Sequence, residues 1–176
     1  MPRARWRIVH APDWPAQEQQ ALAQQLGTAP GAQHSFEADP AISAGLCDVC
    51  LEGILKAREK GLTVSCDLNY RAKLWRWGKK AGDVMPELVR HCDIAIGNEE
   101  DAEKVFGIKA PDTDVMAGRV EAKKYLFVAE QLKNRFQNLK RIAITLRGSV
   151  SATHNTWSGV LYDGKELHIG PVFDIT

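Results

Sequence analysis

The sequence lacks a strong net charge and lacks any long apolar run. Its 23 Lys and Arg residues balance 22 Asp and Glu residues, so the formal net charge is +1. Such a chain has no global field to attract nucleic acid or an anionic membrane. No apolar run approaches the roughly 20 residues that a membrane-spanning helix needs, and Asp13 and Trp14 interrupt the N-terminus before a signal-peptide apolar segment forms. We therefore expect neither nucleic acid nor a membrane as a partner.

Cysteine is also scarce, with four residues at positions 47, 50, 66 and 92. Cys47 and Cys50 form a C-x-x-C motif, which occurs in redox sites and as half of a zinc site. They fall in a segment with a helical pattern, and no second Cys pair or His pair completes a tetrahedral site. We therefore favour a structural role. Few cysteines and no secretion signal predict a reducing, cytoplasmic location.

The composition divides the chain near residue 40. Overall, 44% hydrophobic and 26% charged residues fit a globular protein of about one domain. Residues 1–39 are atypical, being rich in Gln and Ala with little apolar stripe. They show no strand pair, one polar helix around Ala16–Leu26 fits the pattern, and we expect partial disorder. Residues 40–176 carry the predicted folded domain.

From Pro40 onward, helical patterns alternate with short apolar strands. Ser43 can cap a first helix, and Gly61 can end it. Pro86 is expected near a helix start, because a proline inside a helix is costly. The predicted helices lie within 44–60, 79–92, 99–106 and 119–136, and the predicted buried strands lie within 62–68, 93–98 and 139–146. This alternation predicts an α/β fold with a parallel sheet.

After Gly148 the pattern changes to short strands joined by turns. The predicted strands lie within 150–157, 159–162 and 165–170, and Asp163-Gly164 is a strong hairpin signal. The sequence thus predicts parallel strands followed by an antiparallel β-meander.

Polar residues follow three of the predicted parallel strands, at 67–71, 97–101 and 145–148. In open α/β sheets, ligands bind outside the carboxyl ends of the strands. Three such clusters on one edge of a sheet predict a binding site there.

The first cluster presents Asp67, Asn69 and Arg71 at alternating positions, hence toward one side if the strand persists. Arg71 can form a bidentate pair with a carboxylate or phosphate. Asp67 and Asn69 can hydrogen-bond hydroxyl groups or orient that arginine. Alternatively, Asp67 and Arg71 pair with each other and tie down the loop. The pattern leaves both interpretations open.

The second and third clusters also have two interpretations each. Asn98 suits a helix N-cap, or it can hold waters around Mg²⁺ together with a carboxylate. Thr145 and Gly148 can contact phosphate through hydroxyl and N–H groups, with Arg147 adding charge. An ordinary strand-to-strand turn is the alternative. The spacing of a Walker P-loop is absent.

Three long runs together resemble one enzyme family. The runs VSCDLNYRAKLW, PELVRHCDIAIGNEEDAEKVFGI and ITLRGSVSATHNTWSGVLYDGK resemble the ribokinase-like (PfkB-type) sugar kinases, in particular 2-keto-3-deoxygluconate kinases. The resemblance covers roughly Pro40 to Thr176. It implies a three-layer α/β/α sandwich with a small β lid, present here only in part. It also implies ATP, Mg²⁺ and transfer of the γ-phosphoryl group to a sugar hydroxyl.

The resemblance assigns roles to the first two clusters. Arg71 matches the family arginine that binds the carboxylate of a sugar acid, and Asp67 and Asn69 match the polar residues beside it. Asn98 and Asp101 match the Asn-x-x-Glu element near magnesium and phosphate. Asp101 stands where many members have Glu, and a shorter carboxylate can act through water, so no direct metal ligand is implied.

The third cluster, Thr145, Arg147 and Gly148, matches the nucleotide-side turn of the family. The usual turn has glycine where Arg147 stands. The 2-keto-3-deoxygluconate kinase subgroup shares the Arg-Gly form, which favours that subgroup and a sugar acid as substrate.

The family's catalytic base has no counterpart in this sequence. In the family, a late Gly-Ala-Gly-Asp-type motif supplies an anion hole at a helix start and an aspartate that takes the hydroxyl proton. No G-x-G-D occurs in the 176 residues. The family's first strands, lid and glycine-rich substrate motif are not recognisable before Pro40 either. We therefore expect a truncated kinase domain, inactive alone, with its base beyond Thr176 and no catalytic residue among those present.

Two other functions remain open. The chain could be a non-catalytic module that binds a nucleotide or a sugar acid, or a plain α/β domain whose clusters are caps and turns. A parallel sheet without its N-terminal strands would also leave an exposed apolar edge, which predicts self-association.

Overall fold

The computed structural model of the protein describes residues 6–9, 34–36, 39–110, 119–149 and 155–175. Its strands are β1 (Trp6–Val9), β2 (His34–Phe36), β3 (Thr63–Asp67), β4 (Ile94–Gly97), β5 (Arg141–Ser149), β6 (Asn155–Tyr162), β7 (Leu167–Ile169) and β8 (Phe173–Ile175). Its helices are α1 (Ala44–Glu59), α2 (Ala81–Val89), α3 (Glu99–Phe106) and α4 (Arg119–Arg135). None of the helices in these ranges is long and apolar enough to cross a bilayer.

All eight strands belong to one mixed sheet, with the order β2-β1-β3-β4-β5-β6-β7 and with β8 also paired to β6. Strands β3, β4 and β5 are parallel. Strand β6 is antiparallel to β5, β7 and β8. The predicted α/β fold, in which parallel strands pass into an antiparallel meander, is confirmed.

The first strand pair corrects the sequence analysis, which found none before residue 40. Strand β1 pairs antiparallel with β2 on one side and with β3 on the other. Strand β3 is therefore not an open edge, and that part of the expected exposed edge is wrong. The strands are three and four residues long and far apart in sequence, so no local turn signal announces them. The helix and partial disorder expected within 10–33 lie outside the described residues.

Two helices have the predicted ends. The Ser43 hydroxyl oxygen accepts a hydrogen bond from the Leu46 N–H (3.2 Å) at the start of α1, and Gly61 follows its end with φ +70°. Helix α3 starts at its cap Asn98 and ends at Gly107, which has φ +71°. Positive φ values are where glycine carries no steric penalty, so both helix ends follow from local chemistry.

Helix α2 contradicts the expected place of Pro86. Pro86 lies inside α2 and not near its start, so the carbonyl of Gly82 loses the N–H partner of a regular helix. The helix nevertheless continues, since the Arg90 N–H donates to the Pro86 carbonyl (3.2 Å). Burial offsets the cost of the proline through the apolar side chains Ala81, Val84, Met85, Leu88 and Val89.

One face of the sheet is buried and the other is partly open. Cys66, Ala95 and Ile142 are neighbours across β3, β4 and β5, and none is more than 2% exposed. The next row, which contains Asp67 and Ile96, is half-buried. Asp67 therefore belongs to the open face at the carboxyl end of β3.

The strands of the antiparallel part lie at other positions than expected, because β6 joins the strands expected within 150–157 and 159–162, and β8 was not expected. Strand β5 runs on through Ser149, and residues 155–162 form the single strand β6; residues 150–154 lie outside the described ranges. The predicted hairpin at Asp163-Gly164 is confirmed. The Asp163 carboxylate accepts the N–H groups of Lys165 and Glu166 (both 2.9 Å), and Gly164 has φ +96°.

Candidate functional site at the carboxyl edge of the sheet

A cavity of about 1240 Å³ opens where β3, β4 and β5 end. It brings together seven of the eight residues singled out in the sequence: Asp67, Asn69, Arg71, Asn98, Asp101, Thr145 and Arg147. Gly148 does not line it. The carboxyl ends of parallel strands meet at one edge, which is why clusters far apart in sequence converge here.

The loop after β3 is held by fixed hydrogen-bond acceptors. The Leu68 N–H donates to the Ile96 carbonyl (2.7 Å). The Asn69 N–H donates to the Asp67 carboxylate, and the Tyr70 N–H donates to Asp101 Oδ1 (2.9 Å). Asn69 has φ +28°, so the strand geometry ends at Asp67 and the expected alternation to one side does not persist.

Arg71 follows this tied segment and is exposed at the cavity. Among the described residues, no carboxylate lies within ion-pair distance of its guanidinium. The alternative in which Asp67 and Arg71 form a direct pair is therefore not what the structure contains. Arg71 is instead an exposed residue that lines the cavity.

Asp67 carries an unusual carboxyl group. Burial, together with the charge of Asp101, raises its pKa to about 6, against the lowering effects of the Asn69 N–H and Arg71. A carboxyl with such a pKa exchanges its proton near neutral pH. When deprotonated, the Asp67 carboxylate can accept a hydrogen bond from a ligand hydroxyl. When protonated, it can also donate one.

Asn98 and Asp101 form a reciprocal cap at the start of α3. The Asp101 N–H donates to Asn98 Oδ1 (2.8 Å), and the Asn98 N–H donates to Asp101 Oδ2 (3.0 Å). The capping interpretation of Asn98 is thus confirmed as geometry. Mg²⁺ prefers oxygen ligands and keeps several waters. Each of these oxygens accepts one backbone N–H and keeps a second lone pair, so the pair could hold Mg²⁺ through water.

The third cluster lies within β5 and not in a turn. Its residues pair with β6 because the strand continues past the apolar run. Thr145 donates through its hydroxyl to the Gly97 carbonyl (3.4 Å), and Arg147 donates to Asn155 Oδ1 (3.3 Å). A Cβ atom at Gly148 would collide with the Thr156 hydroxyl. Packing against β6 therefore explains why a glycine occupies this position.

The cavity also contains residues that the sequence analysis did not single out, including Asp39, Lys73, Lys104, Tyr125 and Trp157. Lys104 lies three positions after Asp101 on α3, so helical spacing could have indicated it. Trp157 is opposite Arg147 across β5 and β6, which only the strand register reveals. Asp39 is buried and accepts the Ala41 N–H (2.9 Å). No motif around it in the sequence indicates that it lines the cavity.

Comparisons with known proteins place the chain in a family. Residues 12–145 match the model of the pfkB family carbohydrate kinases. No curated protein sequence matches the chain. Since the match includes most of segment 1–39, the domain boundary at residue 40 stays a prediction.

Solved structures agree with the family match. The 2-dehydro-3-deoxygluconokinase of Thermotoga maritima is 36% identical with a TM-score of 0.59, over 74% of this chain and 37% of that one. A PfkB family carbohydrate kinase from Listeria grayi is 24% identical with a TM-score of 0.61, over 77% and 38%. A candidate 2-keto-3-deoxygluconate kinase from Enterococcus faecalis is 24% identical with a TM-score of 0.56, over 74% and 37%; the last two likenesses support the fold alone.

The chain therefore spans less than two-fifths of the length of these solved relatives. Its sheet, in which parallel strands pass into an antiparallel meander, is a partial ribokinase-like α/β fold. With a family model matched over 12–145, the chain belongs to the pfkB family of carbohydrate kinases.

Proposed function

We propose that the cavity at the carboxyl edge of the sheet is the ligand site of a kinase that phosphorylates a sugar acid, 2-keto-3-deoxygluconate, with ATP. The observation that carries this proposal is Arg71, an exposed guanidinium on a tied loop, without an ion-pair partner among the described residues. Such a group suits a ligand carboxylate, which it can bind through two parallel hydrogen bonds.

The substrate side of the proposal involves the loop after β3. Arg71 would bind the carboxylate, while Asp67 and Asn69 would hydrogen-bond sugar hydroxyls. Both residues line the same cavity as Arg71. The choice of 2-keto-3-deoxygluconate is supported by the Thermotoga maritima 2-dehydro-3-deoxygluconokinase, with which the chain shares 36% identity.

The nucleotide side would be formed by Asn98, Asp101, Thr145 and Arg147, with Gly148 next to them on β5. Arg147 and Lys104 are exposed cations at the cavity and would attract ATP phosphates. Asn98 and Asp101 would hold Mg²⁺ through water. When bound, Mg²⁺ supplies neutralisation of phosphate charge.

We further propose that these 176 residues bind ligand without turning it over. The sequence contains no G-x-G-D motif, and phosphoryl transfer needs a group that takes the hydroxyl proton. A non-catalytic binding module is thus what the present chain would be on its own.

Calorimetric titration of the purified chain with 2-keto-3-deoxygluconate, and with ATP and Mg²⁺, tests both statements. We expect binding of both ligands and no measurable phosphorylated product. Arg71→Ala should weaken sugar-acid binding by about 10–100-fold, because a charged hydrogen-bonding pair contributes about 1.5–3 kcal/mol. Arg71→Lys should recover only part of it, because lysine cannot bind through two parallel bonds.

Arg76→Ala is the matched control, because Arg76 is an exposed arginine of the same loop outside the cavity lining. It should leave both affinities unchanged. Equal sugar-acid affinity of wild type and Arg71→Ala would overturn the assignment of Arg71. Turnover at the about 1–100 per second of ordinary kinases would overturn the proposal that the chain is inactive alone.

Two further proposals concern surroundings and partners. The four cysteines are free thiols, which supports a reducing, cytoplasmic setting. We also propose self-association through a sheet edge. Because β1 covers β3, we place the associating edge at strands β7 and β8, which lie beside β6.

A further inference from the structure

Asp101 connects two loops that belong to different parts of the proposed site. Its Oδ2 accepts the Asn98 N–H (3.0 Å) at the start of α3. Its Oδ1 accepts the Tyr70 N–H (2.9 Å), next to Arg71 in the loop after β3. The residue is only 7% exposed. Capping a helix needs one of these oxygens, so the second contact requires another explanation.

Helix α2 provides a comparison within the same chain. Asp83 stands at the third helical position of α2, as Asp101 does in α3, and its Oδ2 accepts the Lys80 N–H (3.0 Å). Asp83 is exposed, and in the described part of the chain its carboxylate makes no second backbone contact. The bond to Tyr70 is therefore not a by-product of capping.

The contact completes the anchoring of the segment before Arg71. The N–H groups of Leu68 and Asn69 already have fixed acceptors in β4 and Asp67, and Asp101 supplies the third. Without this acceptor, the half-buried Tyr70 N–H would lack a partner, which favours a rearranged loop. Arg71 is the next residue, so the direction in which the chain presents Arg71 depends on the bond from the Tyr70 N–H to Asp101.

We propose that Asp101 is a positioning residue that holds the Arg71 loop against the start of α3, so that the sugar-acid side and the nucleotide side of the cavity order each other. This role rests on the proposed function for its ligands, but the loop contact can be measured without them. Any binding event that orders one loop then lowers the cost of ordering the other, and the coupling is reciprocal.

Amide hydrogen exchange and calorimetry on the purified chain test the proposal. In Asp101→Asn, one carboxylate oxygen becomes an NH₂ group that cannot accept from an N–H. We expect the Tyr70 amide to exchange at least about 10-fold faster and sugar-acid affinity to fall about 10-fold. The gain in sugar-acid affinity that ATP with Mg²⁺ produces should also disappear. Asp83→Asn, which disturbs only a cap, should change none of these three quantities.

Asp101→Glu separates positioning from general stability, because it restores two carboxylate oxygens. We expect it to recover most of the Tyr70 protection and part of the affinity. If Asp101→Asn does not fold, the wild type decides instead. Its Tyr70 amide must then exchange more slowly than the amide of exposed Ala72, and equal rates would overturn the proposal.

The remaining outcomes separate this proposal from the proposed function. Unchanged Tyr70 exchange in folded Asp101→Asn and in folded Asp101→Ala, which removes both oxygens, would overturn the positioning role while leaving the ligand assignment intact. Wild-type chain that binds no sugar acid would overturn the proposed function, and with it the coupling of ligands. Protection of Tyr70 in that case would show a held loop with no role in this binding.

Discussion

Two neighbouring carboxylates at the site have different environments. Asp101 accepts backbone N–H groups with both oxygens, whereas Asp67 accepts one from Asn69 and stays half-buried at the cavity. Burial and the charge of Asp101 act together on Asp67 and raise its pKa to about 6. The Asp101 carboxylate thus holds two backbone N–H groups, whereas the Asp67 carboxylate has a raised pKa at the cavity.

Asp67 should make the stability of the protein depend on pH. The folded state keeps the Asp67 proton up to about pH 6, while the unfolded chain loses it near pH 4. Between these values the folded state binds more protons, so stability falls as pH rises. Asp67→Asn should remove this slope and make the variant more stable than wild type at pH 7, by about 1–2 kcal/mol after solvent screening. Urea unfolding at pH 4, 5, 6 and 7 measures it.

Asp163 provides a control with the opposite sign. Hydrogen bonds from the Glu166 N–H, His168 and the Lys165 N–H hold its pKa well below the usual value. The contribution of Asp163 to the stability of the folded state is therefore present above about pH 4 and is lost as pH falls further. Asp163→Asn should not remove the loss of stability between pH 4 and 6. An unchanged slope in Asp67→Asn would contradict the environment assigned to Asp67.

At the scale of elements, two glycines should respond to alanine in opposite directions. Gly107 ends α3 with φ +71°, and a Cβ atom there would meet nothing within 4 Å, so Gly107→Ala should cost about 1 kcal/mol of backbone strain. Gly45 lies in the first turn of α1 in equally open space. Gly45→Ala should stabilise the protein by about 0.5 kcal/mol. Denaturant unfolding of both variants measures the difference, and effects of equal sign would contradict it.

Elements with local signals are the ones that the sequence predicts well. The cap at Ser43, the glycine after α3 and the Asp163-Gly164 hairpin depend on residues within a few positions. The parallel strands follow from short apolar runs between helices. Their convergence follows from the general rule for the carboxyl edge of such sheets, which is why most candidate site residues share one cavity.

Features that depend on tertiary packing are not visible in the sequence. Pro86 is tolerated inside α2 because the helix buries most of its side chains, which outweighs a local preference. Strands β1 and β2 pair across a long separation. The bond from the Tyr70 N–H to Asp101 joins residues on different elements, and no spacing rule connects them. Local pattern therefore gives the candidate residues, whereas the contacts between them need the fold.

At the scale of the whole molecule, the sheet ends in an apolar surface on β6, β7 and β8. Strands β7 and β8 pair with different parts of the same edge of β6. Large apolar side chains on this part of the chain are 42–67% exposed, namely Trp157, Ile169, Val172, Phe173 and Ile175. Edge strands with free backbone groups and apolar side chains favour pairing between chains, and a net charge of +1 provides little repulsion.

We therefore expect self-association that increases with protein concentration. Sedimentation or light scattering at protein concentrations from about 1 to 100 µM measures it, since this range covers dissociation constants of moderate affinity. Phe173→Lys should weaken association by about 10–100-fold, because burial of a phenylalanine side chain contributes about 1.5–3 kcal/mol. Val49→Lys is the control, since Val49 is an exposed apolar residue on α1, away from this edge. A wild-type chain that stays monomeric over the whole range, or equal effects of both variants, would show that this edge does not join chains.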